Sequence, residues 1–362
     1  MHSQQLRYSS GFTKKLVLAF TLTFIAAPCL LKTETAVAQT SISKGESSVN
    51  TPTSTSAKRV ELARGVTYER IDIDDKAHAH VVYVDTARGA LSIKPYMSES
   101  IETTSSAAAK NNAIVAINAG FFNLSDGEST SYITLNGKQL CEPKHNMALV
   151  NNEGLKPFLT KIFNRSELRF LIDKKSKIHM IVQAHTDAVP AGLKLLDSIQ
   201  AGPQLLPKYT ARDEAFVRRP PGATKDADSI GTNMRAARTA FGITNSGQAV
   251  LVCVEGRKTK EFAEGISLPN LAEFMRRIGC ESAINFDGGT STTMVLNITP
   301  EMAAAMGVSK KTPGGDQVSS ILSKTNGSSN LKTGDSVSQL VSVVASSPER
   351  RVRSMIYVTP IK

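Results

Sequence analysis

The densest set of reactive residue types is Asp287-Gly288-Gly289-Thr290-Ser291, directly after the apolar run at 282–286. A carboxylate at a strand end, followed by two glycines, lets backbone approach a ligand closely. The hydroxyls and N–H groups behind it can hold an anion. A second point is Asn118-Ala119-Gly120-Phe121-Phe122, after the apolar run at 113–117. Its amide can position a sugar hydroxyl or a phosphate oxygen. Gly120 permits a sharp turn, and the two Phe can wall a pocket. Val254-Glu255-Gly256-Arg257 places an acid and a guanidinium just past another apolar run. A guanidinium can grip phosphate with two parallel hydrogen bonds. Arg238-Thr239 sets one more cation at the start of a strand pattern. Each point also has a plain structural account: an Asp turn, core Phe, or a salt-bridged surface turn.

Other chemistries lack their anchors. No Gly-Lys-Ser/Thr ending follows the glycines, so they do not form a nucleotide phosphate loop. There is no Gly-x-Ser-x-Gly elbow for a lipase-type triad. No His stands at ligand spacing to a Cys, so a zinc site is not indicated. His145 and His185 lie in no motif and read as structural.

The elements that must position these residues are legible in outline. Strand patterns at 239–244 and 249–254 flank Asn245-Ser246-Gly247-Gln248, the clearest hairpin. Leu135-Asn136-Gly137-Lys138 is a second, because Asn-Gly tolerates the positive φ of a tight turn. Asp85-Thr86-Ala87-Arg88-Gly89 reads as a third. Ser267 caps a helix over 269–278, where Leu271, Phe274, Met275 and Ile278 fall on one face before Gly279. Ser100 is a candidate cap for a helix through Ala107-Ala108-Ala109. Residues 354–359 read as a last strand. Residues 307–338 lose periodicity and read as a surface insertion. Strands neither alternate uniformly with helices nor pair uniformly. The expectation is a single large α+β domain over 63–362, with a mixed or antiparallel β-sheet core and flanking helices.

Composition bounds the class. The 362 residues are 41% hydrophobic and 21% charged, which excludes collagen-like, coiled-coil and wholly disordered chains. Lys14-Lys15, an apolar run at 16–31 and Ala36-Val37-Ala38 form the pattern of a secretory signal peptide over 1–38. Cleavage before Gln39 implies a secreted or periplasmic protein with no integral membrane segment left. Residues 39–62, rich in Ser and Thr, read as a flexible linker. The formal charge is +11; the leader carries four basic residues and Glu34, so about +8 remains. The basic residues are scattered and few aromatics lie between them, so nucleic acid is not an indicated partner. Cys141, Cys253 and Cys280 remain, so at most one bridge forms.

Taken in order, the segments resemble the phosphodiester glycosidase domain family. They are Ala116-Ile117-Asn118-Ala119-Gly120-Phe121-Phe122, Ala201-Gly202-Pro203-Gln204-Leu205-Leu206 and Arg238-Thr239-Ala240-Phe241-Gly242-Ile243. Val254-Glu255-Gly256-Arg257, Asn285-Phe286-Asp287-Gly288-Gly289-Thr290-Ser291-Thr292 and Pro348-Glu349-Arg350 follow. Thr290 stands where the family usually has a third Gly, and Glu255 where it usually has Asp. The resemblance implies hydrolysis of a sugar-1-phosphodiester at its glycosidic bond. Asp287 is then the carboxylate near the anomeric carbon, Glu255 the second acid or base, and Arg238 with Arg257 the phosphate contacts. Asn118, Phe121, Thr290, Ser291 and the backbone at Gly120, Gly202, Gly288 and Gly289 line the substrate. No cofactor is assured; Asp287, Glu255 and Asn118 are possible ligands for a divalent cation, although their spacing is no recognised set. The rival expectation is a non-catalytic module on the same fold that binds phosphoglycan or envelope polymer.

Overall fold

The computed structural model describes residues 59–261, 263–307 and 338–361. The expected leader lies outside them, as do residues 39–58 of the expected linker and 308–337 of the expected insertion.

Two antiparallel sheets carry the core. The first has seven strands, in spatial order Val60–Ala63, Val66–Asp74, Ala77–Val84, Ala249–Val254, Arg238–Thr244, Cys280–Asn285 and Gln204–Leu206. The second has five: Gln339–Val344, Met294–Ile298, Val115–Asn118, Arg351–Pro360 and Leu91–Thr103. Both sheets feed one hydrophobic cluster, with Tyr68, Val82, Leu251, Phe241 and Ile284 from the first and Ile93, Val115, Ile117, Leu296 and Ile356 from the second. A third five-stranded sheet, built on Ser166–Ile172 and Lys194–Gln200, adds Leu168, Phe170 and Ile199 to the same cluster.

The helix Leu268–Arg277 covers the other face of the seven-stranded sheet. Ser267 caps it by accepting the Asn270 N–H. Its Leu271, Phe274 and Met275 pack on Val81, Val250 and Val252. Each such large side chain contributes about 1.5–3 kcal/mol by leaving water. Cover on both faces explains why Ala249–Val254 is apolar at every position, without alternation. The Asn-Ser-Gly-Gln hairpin forms as expected: Gly247 has φ +80°, and all six residues from Arg238 to Ile243 pair with the neighbouring strand.

Three expectations are corrected. The linker does not run to residue 62, because Val60–Ala63 pairs with Val66–Asp74 as an edge strand. Apolar Val60 and Leu62 point into the core and outweigh the polar composition upstream. Asp85-Thr86-Ala87-Arg88-Gly89 is not a hairpin turn: Ala77–Val84 pairs within the first sheet and Leu91–Thr103 within the second. The turn is a local Asx turn, with the Asp85 side chain accepting from Ala87 and Arg88 N–H, and it carries the chain between sheets. Ser100 caps nothing; it lies inside the strand Leu91–Thr103, and Thr103 caps the helix Thr104–Lys110. The expected antiparallel β-sheet core is present, with strands outweighing helices: among the described residues only one helix reaches ten residues. No described helix is long and apolar enough to cross a membrane.

Candidate active site

The pairing registers bring the polar motifs to one end of the two sheets. Val115–Asn118, Cys280–Asn285 and Ala249–Val254 end there; Arg238–Thr244, Met294–Ile298 and Arg351–Pro360 begin there. Loops at such a meeting of strand ends are free of the packing that fixes the strands, which is why reactive residues collect on them.

Asn118 is the hub. It is wholly buried, and each of its side-chain atoms holds a different segment. Its Nδ2 donates to the Asp287 carbonyl at 2.7 Å, while its Oδ1 accepts from Thr239 Oγ1 at 2.7 Å and from the Thr293 N–H at 3.0 Å. The Asp287 N–H donates to the Ala119 carbonyl at 2.8 Å. Asn118 therefore acts as a positioning residue: its side chain holds the Asp287 carbonyl, its neighbour Ala119 holds the Asp287 N–H, and its side-chain atoms are spent on protein. The same bonds use its Oδ1 and remove it from the expected cation ligands. Among the described residues no group of three or more His, Cys, Asp and Glu is arranged to hold a metal ion.

Asp287 opens the loop that Gly288 and the short 3-10 turn Gly289–Ser291 continue. Gly289 has φ +63°, and a Cβ on Gly288 would stand 2.9 Å from the Ala237 carbonyl. Both sites thus need glycine to bring the loop back over Ala237. The residue keeps some surface, but protein closes around its carboxyl. That burial pushes its pKa up to about 6, against hydrogen bonds from Ser291 and the Gly288 N–H and the positive charge of Arg350.

Arg350 is the cation the sequence reading placed in a motif without giving it a role. Its Nη2 donates to Thr290 Oγ1 at 3.1 Å, and no carboxylate pairs with it among the described residues. Arg238, expected to clamp phosphate, is not available for that. Its guanidinium is buried and donates to the carbonyls of Ile266, Ile230, Gly231 and Met234 at 2.6–3.2 Å. It is a structural pin that ties the 230–234 loop to the strand. Arg257, the other expected phosphate contact, is exposed and lies 3.7 Å from Glu264.

Glu255 does lie at this end. A Cβ on Gly256 would meet the Ala237 N at 2.2 Å, so Glu255 and Asp287 leave their strands on either side of the same residue. Glu255 is buried in a chain that spacing alone did not reveal. Tyr68 Oη lies 2.8 Å from His80 Nδ1, and His80 Nε2 lies 2.8 Å from Glu255 Oε1. Burial raises the Glu255 pKa, but the His80 hydrogen bond and the Lys260 charge at 3.3 Å outweigh it and hold the group well below the usual carboxylate range. Burial lowers the His80 pKa. A neutral imidazole fits both contacts, with Tyr68 donating to Nδ1 and Nε2–H donating to Glu255. His80 sits inside an alternating strand pattern, where nothing distinguishes it from a core residue.

The remaining expected residues frame the loop. Gly120 is buried, its N–H donates to Ser354 Oγ at 3.0 Å, and a Cβ there would crowd Gln200 O and Ser354 Oγ at 3.2 Å. Phe121 keeps partial exposure and tilts against Phe216 at 5.7 Å. Gly202 has φ +103°, and a Cβ there would lie 2.1 Å from Glu214 Oε2. It pairs with Asn285 through both its N–H and its carbonyl, so its part is to seat the strand that delivers Asp287.

A stretch of 198 residues is 26% identical to bovine N-acetylglucosamine-1-phosphodiester alpha-N-acetylglucosaminidase, covering 54% of this chain and 34% of that protein. The mouse protein of the same name is 42% identical over 67 residues, 18% of this chain and 12% of that one. The match thus spans about a third of the bovine relative's length. Among solved structures, the zebrafish catalytic domain of that name, auto-inhibited by its pro-peptide, superposes with TM-score 0.49 and 16% identity over 86% of this chain and 84% of that one. A hypothetical protein from Synechocystis gives TM-score 0.49 at 15% identity, over 85% of this chain and 64% of that one. The profile of the phosphodiester glycosidase family matches residues 111–359, from just ahead of the Asn118 hub to the end of the last strand, and the chain belongs to that family.

Proposed function

We propose that the protein is a secreted hydrolase of sugar-1-phosphodiesters, cleaving the glycosidic C–O bond to give free sugar and a phosphomonoester. The observation that carries this is the desolvated Asp287 carboxyl beside Arg350, on a loop of hydroxyl and N–H donors. The C1–O electron pair leaves with the phosphate oxygen, and water supplies the new C1–O bond. Phosphate is a weakly basic leaving group and needs little protonation; Arg350 takes its growing charge. Asp287, ionised above pH about 6, stabilises the oxocarbenium-like carbon, attacks it or activates the water. Glu255, kept anionic by His80 and Lys260, is the second carboxylate of the site.

The test uses purified residues 39–362 with a panel of sugar-1-phosphodiesters, including nucleotide sugars. Release of reducing sugar is measured with and without chelator, beside Asp287→Asn. Wild type is expected to release sugar, and the variant to lose about a hundred- to a thousandfold in rate. Saturable binding without release would replace the enzyme by a binding module. Oxygen-18 water reports the bond cleaved: label in the sugar supports this reading, and label in phosphate overturns it.

A further inference from the structure

Beyond Phe121, along the same wall, stand two arginines that neither the motifs nor the reaction uses. Arg165 Cζ lies 3.7 Å above the centre of the Phe216 ring, the ring that meets Phe121. Its Nε donates to the Glu214 carbonyl at 3.1 Å. Arg218 donates from Nη1 to the next carbonyl, Ala215 O, at 3.2 Å, and its Cζ lies 5.9 Å from the Phe158 ring. Consecutive carbonyls of one tight turn thus tether both guanidiniums, close enough that the Arg218 charge acts on Arg165. Neither has an ion-pair partner among the described residues. The two nearby carboxylates act on them through charge alone and spend their hydrogen bonds elsewhere. Glu214 accepts from Ser166 N and Oγ, Gln204 N and Thr210 Oγ1; Asp228 accepts from Ile230 N and from Thr232 N and Oγ1. Arg218 Nε is buried with no partner at all.

Two neighbouring guanidiniums that share no ion pair and keep open donor positions gain from an anion that bonds both. Burial lowers the pKa of both, Arg165 to about 10, against the charges of Glu214 and Asp228. Stacking on Phe216 fixes the plane of Arg165 and leaves its outer nitrogens to bond edge-on, the geometry that suits a tetrahedral oxyanion.

We propose that Arg165 and Arg218 form a second anion subsite, which takes a phosphate group carried by the aglycone, with Phe121 and Phe216 as the apolar wall between it and the Asp287 loop. The assignment to an aglycone rests on the proposed glycosidase reading; the anion site itself does not. The natural substrate would then carry negative charge beyond the scissile phosphodiester.

The probe is inorganic phosphate, titrated by calorimetry at low salt into Arg350→Gln protein, so that the site beside Asp287 does not contribute. One saturable site at millimolar phosphate is expected. It should weaken about tenfold or more with Arg165→Gln or Arg218→Gln added, and stay unchanged with Arg257→Gln. Arg218 gives the fold a single hydrogen bond, so its variant stays folded and keeps the test readable. No binding, or equal binding in all variants, overturns the subsite. With Asp287→Asn, phosphate binding should persist while turnover is lost. Intact binding in a wild type that hydrolyses no substrate would sink the glycosidase reading and leave the subsite standing.

Discussion

At the residue scale, the two acids of the site are pushed in opposite directions by named neighbours. Asp287 is desolvated and rises to about 6 from an ordinary 3.8, whereas Glu255 is held down by His80 and Lys260. The Asp287 shift has a sign in stability. The unfolded chain loses this proton near 3.8, and the folded chain keeps it to about 6. Stability from this group is greatest below the lower value, falls as pH rises through the window, and is level above it, by at most about 3 kcal/mol. Asp287→Asn should therefore flatten the pH dependence of Tm between those values and raise Tm at neutral pH, while removing activity. A steeper profile in the variant would contradict the burial of the carboxyl. In the wild type kcat should climb with pH through about 6, because the proposed reaction uses the ionised form. The arginines divide as sharply. Arg350→Gln gives up one bond to Thr290 and should cost little Tm but about a hundredfold in rate. Arg238→Gln orphans buried carbonyls and should lower stability by at least about 3 kcal/mol, with activity following the folded fraction. If Arg238→Gln instead stayed stable and lost only catalysis, the earlier phosphate-clamp expectation would return.

At the element scale, the site depends on strands leaving the sheet without room to spare. Gly256 is the sharpest case, since a Cβ there would stand only 2.2 Å from the Ala237 N, just past the end of Ala249–Val254. Gly256→Ala must move backbone on one side or the other. It should lower Tm by several degrees and disturb Glu255, seen as a raised KM or a lost kcat with the protein still folded. How much of this was legible follows from the range of each interaction. The 238–254 hairpin and the 268–277 helix were readable because turn residues and apolar spacing are local. Asp287, Gly288 and Asn118 stand out as strand-end residues because a polar residue ending an apolar run is also a local pattern. Whether Asn118 touches substrate or backbone was not legible, because its partners are more than 100 positions away. The same holds for His80, 175 positions from Glu255, and for Arg350, 60 positions from Thr290. The switch at 85–90 failed for a related reason: a good turn does not say whether its strands join one sheet or two.

At the scale of the whole molecule, the five- and seven-stranded sheets are held at the site end by polar bonds, while apolar packing joins them elsewhere. Thr239 belongs to the seven-stranded sheet; Asn118 belongs to the five-stranded one, and Thr293 leads into its strand Met294–Ile298. The Asn118 side chain is thus both the inter-sheet pin and the support of Asp287, so stability and the proposed catalysis share one residue. Two substitutions separate the roles. Asn118→Ala removes all three bonds and leaves their partners buried and unpaired, a loss of about 3 kcal/mol or more, with the rate falling as the Asp287 loop loosens. Asn118→Asp keeps the acceptor for Thr239 and Thr293 but sets a carboxylate oxygen against the Asp287 carbonyl, 2.7 Å from where the amide donated. That repulsion acts on the loop rather than on the pin. Its rate loss should therefore exceed what its Tm predicts, and the pH at which kcat climbs should move upward, because a new negative charge nearby disfavours ionised Asp287. Chemical denaturation and a pH–rate profile on both variants decide this. If Asn118→Asp shows an unmoved profile and a rate loss explained by unfolding alone, Asn118 supports only the packing of the sheets, and Asp287 must be held by its bond to Ala119 and the turn that follows.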